Sequence, residues 1–163
     1  MKYLLDVNVL LAWGWADHTE HQRTALWIAT MKDRHQVTLL TSSIPELGFV
    51  RVSVQRTGGN LSVIAAAETL AGMLESLGRT HQFLADDLSS TKEWPDWCGG
   101  ASRTTEAHLL KLAEKHGARL LTLDAGIPGA HLLAVGQWVV VQFDSGRQFA
   151  AWRTHHAGKS SAP

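Results

Sequence analysis

The chain has 163 residues, enough for one domain that buries roughly 68–70% of the surface its unfolded form would expose. Hydrophobic residues make up 45% and charged residues 18%, against a usual charged share of about 25%, which excludes a disordered chain. Lys plus Arg and Asp plus Glu both number 15, so any hold on nucleic acid must come from a local patch, and the single cysteine, Cys98, excludes an intrachain disulfide.

In chain order, Tyr3–Leu5 reads as the first strand. Asp6 follows where a signal peptide would continue its apolar run, and no stretch approaches the roughly 20 apolar residues of a membrane span. A cytoplasmic protein with no membrane segment is therefore expected. Thr19–Lys32 reads as a helix, Val37–Leu40 as the second strand and Ile44–Arg56 as the next helix. Leu61–Leu77 predicts a helix with Asn60 as N-cap, an apolar stripe at Leu70, Met73, Leu74 and Leu77, and Gly78 as its stop. Gln82–Leu84, Arg119–Leu123 and Trp138–Val141 complete the strands, and Thr104–His116 forms a helix stopped by Gly117. Most of the strand runs are continuously apolar, as strands covered on both faces are. The pattern predicts an α/β fold, a mainly parallel five-stranded sheet between helices, in a domain of residues 1–150 followed by a polar, flexible tail, 151–163.

Four acids stand out by their positions. Asp6 and Asp124 follow the first and fourth strands, at the carboxyl ends that line the crevice of an open parallel sheet. Glu46 heads the inward stripe Phe49, Val50 and Val54, and Glu106 heads Leu109, Leu110 and Ala113. Glu114, between Lys111 and Lys115, faces water instead. Each acid also has a purely structural reading: Ser43-Ile44-Pro45-Glu46 fits a capping box with Ser43 as N-cap, and Glu106 suits a helix's first turn. What capping leaves unexplained is why four acids meet at one end of one sheet. Close carboxylates repel by about 3 kcal/mol per pair at an effective dielectric near 20. A hard divalent cation, magnesium or manganese, relieves that charge with the ligands it prefers.

Leu4-Leu5-Asp6-Val7-Asn8-Val9-Leu10-Leu11-Ala12, Ile44-Pro45-Glu46-Leu47-Gly48-Phe49-Val50-Arg51 and Thr105-Glu106-Ala107-His108 through Leu121-Thr122-Leu123-Asp124 together resemble a PIN domain, nearest to the VapC-type toxin ribonucleases. The resemblance spans residues 2 to about 143. It implies a three-layer α/β/α sandwich and a magnesium-dependent endoribonuclease site on Asp6, Glu46, Glu106 and Asp124, with manganese as a substitute. It puts Asn8 and Thr122 beside the metal site, and it implies an RNA substrate, a homodimer and a small antitoxin partner. Glu106 departs from the aspartate usual in the family.

Arg51, Arg56, Arg79 and Arg103 flank or approach the acidic helices and are candidate phosphate contacts. Trp94-Pro95-Asp96-Trp97 precedes the Glu106 helix and offers surfaces for stacking on bases or on a partner, or for loop packing. Two rival readings remain. One is a PIN-like binding module silenced by Glu106. The other is a phosphatase of the haloacid dehalogenase type, which needs a second acid where this chain has Asn8.

Overall fold

The strand β1 (Lys2–Leu5) lies at the centre of the sheet because both of its edges are taken. On one side β2 (Thr38–Thr41) pairs with it in parallel, Leu4 opposite Leu40; on the other β4 (Arg119–Thr122) does the same, Leu4 opposite Leu120. The outer strands β3 (His81–Phe83) and β5 (His131–Leu132) extend the sheet in parallel, giving five strands in the order β3-β2-β1-β4-β5. This computed structural model describes residues 1–91 and 94–133, all within one compact unit, Met1–Leu133.

The apolar strand runs are explained by two separate cores. Tyr3, Leu5, Leu39 and Leu121 point to one face and pack with residues of α1 (Val7–Gly14), α2 (His21–Lys32), α3 (Ser43–Arg56) and α4 (Val63–Ser76). Leu4, Leu40 and Leu120 point to the other face, where α5 (Thr104–Lys115) supplies Leu109, Leu110, Leu112 and Ala113. Alternate side chains of each strand thus enter different cores, so neither set may be polar. The result is the expected α/β/α sandwich around a parallel sheet.

The order of the strands fixes where a site can form. From β1 the chain winds outward through β2 to β3, then returns to place β4 on the opposite side of β1. The connections after β1 and β4 therefore part, and a crevice opens beyond the carboxyl ends of these two strands.

Several local expectations need correction. The eight-residue helix α1 directly after Asp6 is not read from the sequence, because VNVLLAWG is apolar nearly all round and too short to show a period. The N-cap of α4 is Ser62, whose Oγ accepts from the Ala65 amide at 3.1 Å. Asn60 instead closes the preceding turn, its amide donating to the Thr57 carbonyl across two glycines at positive φ, Gly58 and Gly59. Ser43 is the first residue of α3 and not its cap; Ser42 holds that place, without a side-chain capping bond. Gly78 and Gly117, at φ 56° and 64°, stop their helices as expected. The fifth strand observed is His131–Leu132; the expected strand at 138–141, the domain limit at 150 and the tail 151–163 lie outside the described residues. Among those residues no helix is long and apolar enough to cross a membrane.

Gly48 sets the approach of α3 to α1: a Cβ there would stand 2.6 Å from the Val7 Cγ2. Gly48→Ala gains about 1 kcal/mol of helix propensity but forces aside a stiff β-branched side chain at the first turn of α1. Overpacking costs typically about 1–3 kcal/mol, and relief needs α1 itself to move, so a net loss of about 1 kcal/mol is expected. A urea melt checks it: an unchanged or raised midpoint would show that the two helices are not set by this contact.

Candidate active site

The amino end of α1 and the carboxyl end of β4 are tied by a hydroxyl. Asp6, 4% exposed, caps α1 by accepting the Val7 amide on Oδ1 at 2.7 Å. Its Oδ2 accepts the Thr122 hydroxyl, also at 2.7 Å. Thr122 Oγ1 in turn accepts from Asn8 Nδ2 at 2.9 Å and from the Asp124 amide at 3.0 Å. One donor and two acceptors exhaust a hydroxyl, so Thr122 is fully used. Asn8 completes the ring by accepting the Leu123 amide on Oδ1 at 3.1 Å. Both polar residues singled out beside the acids thus lock the backbone after β4 and the carboxylate after β1. Both ends of the Asn8 amide are engaged in this, and an amide has no acidic proton to give as a phosphatase acid would.

Burial holds the Asp6 carboxyl above its ordinary value of 3.8; the bonds from Thr122 and Val7 oppose this, and the charges of Glu106 and Asp124 add to it. Two of the other three expected acids therefore act on Asp6 at this edge. Asp124 is exposed at the crevice mouth, its Oδ1 accepting the Gly126 amide at 2.7 Å. Glu106 projects from the first turn of α5, and its Oε2 is buried with no hydrogen-bond partner.

Glu46 belongs to the next strand over. Its Oε1 accepts the Thr41 hydroxyl at 2.6 Å, at the end of β2, so it does not reach back to cap α3 as a capping box would. Because Thr41 gives its proton to Glu46, the 2.8 Å contact with His81 Nε2 must be an N–H donated by the histidine. Burial lowers the His81 pKa, and the Glu46 charge partly offsets this. Thr41 and His81 are site residues that sequence reasoning misses. The available signal is a threonine ending an apolar buried strand, Leu39-Leu40-Thr41, as in Leu120-Leu121-Thr122.

The arginines separate. Arg103, in the turn Ala101–Arg103 before α5, donates to the Gly126 carbonyl at 2.8 Å, beside the amide that holds Asp124. Arg56 is engaged elsewhere, paired with Asp17 at 2.7 Å and stacked 4.2 Å from the Trp15 ring. Arg51 and Arg79 are exposed.

The donor set is oxygen only, which suits a hard cation. The lone Glu106 Oε2 and the Ser42 Oγ, likewise buried without a partner, are the atoms at the carboxyl end of the sheet that lack company. Among the described residues no three His, Cys, Asp or Glu side chains are grouped so as to hold an ion by themselves. Magnesium does not require such a cage: it usually keeps several waters and binds through one or two carboxylates plus substrate phosphates.

No protein-family model matches the chain. Curated relatives do. Over 127 residues it is 39% identical to the ribonuclease VapC38 of Mycobacterium tuberculosis, covering 76% of this chain and 86% of that protein. The ribonuclease VapC39 of the same species is 35% identical over 133 residues, 78% of this chain and 91% of its own. VapC44, also named a ribonuclease, is 35% identical over 139 residues, 80% of this chain and 94% of its own. Identity at this level over nearly the whole of each relative, with the parallel α/β/α fold, shows that the chain belongs to the VapC family of PIN-domain ribonucleases.

Proposed function

We propose that this protein is a metal-dependent endoribonuclease, the toxin of a toxin–antitoxin pair, that hydrolyses RNA phosphodiester bonds at the acidic edge of its sheet. The observation that carries the reading is the convergence of Asp6, Glu106 and Asp124 on one edge, where buried Asp6 feels the charges of the other two and a glutamate oxygen is left without a partner. Asp6, Glu106 and Asp124 would hold magnesium or manganese, directly or through water, with Glu46 completing the set from the first turn of α3, beside the end of β2. When bound, the ion supplies charge neutralisation at the scissile phosphate and a water of lowered pKa. The chain's own part is orientation: Thr122 and Asn8 fix Asp6, Gly126 fixes Asp124, and Thr41 with His81 fixes Glu46. Exposed Asp124, or Glu106, orients the attacking water. Arg103 lies where it can approach a phosphate at the same edge. The reading includes the partners that go with it, a homodimer and a small antitoxin that blocks the crevice with an arginine or displaces the metal, in the cytoplasm.

The purified protein, freed of any partner, is expected to cleave RNA with magnesium or manganese and to stop on chelation. Asp6→Asn should abolish cleavage yet leave a folded protein. Because a raised carboxyl favours the fold below its ordinary 3.8 and loses that contribution as pH rises through its folded value, removing the charge should raise the melting temperature by a few degrees at pH 7 and by nothing near pH 3. Cleavage in excess chelator, or an active Asp6→Asn protein, would sink the mechanism.

Thr122→Val deletes the hydroxyl at the centre of the Asp6 network. Outer partners of this kind typically contribute about 10- to 100-fold to metal affinity or activity, so a loss of that size is expected, with Thr122→Ser close to normal. Manganese binding to the protein without RNA, measured by calorimetry, should fall in parallel. Equal binding by the valine variant would make Thr122 a purely structural bond.

Glu106 reaches one methylene further than the aspartate that the family resemblance leads one to expect there. Glu106→Asp should keep or raise activity, with manganese at least as effective as magnesium, and Glu106→Gln should cut it strongly. A fully active Glu106→Gln protein would leave only three carboxylates in the site.

A further inference from the structure

The segment between β3 and α5 carries a second polar construction, outside the acidic set. His108, 7% exposed on α5, sits between two residues of this segment. Its Nε2 donates to Asp86 Oδ2 at 2.7 Å, since a carboxylate only accepts, and its Nδ1 stands 3.2 Å from Ser90 Oγ. This pins residues 86 and 90 against the helix that bears Glu106. From there Trp94 is held in turn, its Nε1 donating to the Ser90 carbonyl at 3.1 Å, while 41% of the residue stays exposed. An indole fixed by its polar end and open on its surface is a stacking platform made in advance, with little rotamer freedom left to lose on binding.

The platform faces a recess. Ile44, Ser90, Trp94, Thr104, Thr105 and His108 line an open space of about 340 Å³. Ile44, Thr104 and Thr105 bring part of its wall from the first turns of α3 and α5, the same turns that carry Glu46 and Glu106. An apolar wall, an aromatic surface and the hydroxyls of Ser90, Thr104 and Thr105 match a flat ligand with a polar rim. Net charge supplies the remaining constraint. With 15 acids against 15 bases and several of the acids at the reacting edge, net charge gives RNA no bulk attraction, so a contact to a base adds affinity that overall charge does not.

We propose that this recess receives one unpaired base of the RNA next to the scissile bond, stacked on Trp94 with its edge read by the hydroxyls of Ser90, Thr104 and Thr105. The proposal rests on the ribonuclease reading for its ligand, and it adds a subsite that selects single-stranded RNA.

Binding of four fluorescent single-stranded homopolymer RNA oligonucleotides, read by anisotropy in the non-cleaving Asp6→Asn background, tests it. Trp94→Ala should weaken the tightest of the four about tenfold, and Trp94→Phe should restore most of the loss. An abasic residue placed at each position in turn should reproduce that loss at one position, with no further loss when combined with Trp94→Ala. In the otherwise native protein Trp94→Ala should raise KM with kcat little changed. The thermal midpoint of each variant reports folding. If a folded Trp94→Ala protein binds and cleaves like the native one, the subsite is overturned while the nuclease stands. If the native protein binds RNA through Trp94 but never cleaves it, the subsite stands and the nuclease reading falls. No binding of any oligonucleotide overturns the subsite outright.

Discussion

The hydrogen bond from the Thr122 hydroxyl to Asp6 joins segments 116 residues apart in sequence, at the one place where the chain's winding opens a crevice. It is buried at both ends, so it is worth more than an exposed bond and costs more to break. Its geometry follows from the sheet. Leu5 lies opposite Leu121 in parallel register, so the residues that follow, Asp6 and Thr122, come side by side as the strands end. The Asp6 amide donates to the Leu121 carbonyl at 3.0 Å, and from there the two chains turn apart, one into α1 and the other towards Asp124. Shift that register by one residue and both cores empty while the site dissolves. Packing and chemistry are therefore specified by the same pairing.

Much of this was legible because the relevant patterns are long or sharply placed. Strand runs such as Leu120-Leu121 and the Leu109–Ala113 stripe state which faces are buried, and an acid at a strand end states which edge is used. What stayed hidden was short or depended on distant partners. The helix α1 has eight residues and β5 has two, below the length at which periodicity tells. The cap of α4 moved to Ser62 because two glycines turn the chain first, a matter of local backbone competition. Taken alone, Glu46 fits a capping box better than a site; only the position of Thr41, five residues back and folded onto it, decides where the carboxylate goes. Nothing local in sequence could say that His81 would stand on the far side of that threonine, 40 residues on.

The two halves of the crevice are built on one plan. Each of β2 and β4 ends in a fully buried threonine, and each threonine gives its proton to an acid: Thr41 to Glu46, Thr122 to Asp6. A valine of the same shape would suit an apolar strand better, so the hydroxyls mark where the sheet changes from core to crevice. Each hydroxyl is then held by a further residue, His81 in one half and Asn8 in the other. Carboxylates anchored in this way lose little freedom when a ligand arrives.

Structural need alone does not account for a charge at position 6. The cap of α1 would be served as well by asparagine or serine, which rank with aspartate as N-caps. Either would avoid the burial that lifts the Asp6 carboxyl and the repulsion from Glu106 and Asp124. Aspartate is thus the more costly of several adequate choices, and the cost falls where stability is least improved by it. Glu106 raises the same question from the other side of the crevice: its Oε2 is removed from water without a partner, though a glutamine or an apolar residue would fill that turn of α5 more cheaply. Two carboxyl side chains that the fold could discard, kept at one edge with their neighbours arranged to hold them still, suit the proposed metal-binding role. A cation bound there would supply stability that the free protein forgoes.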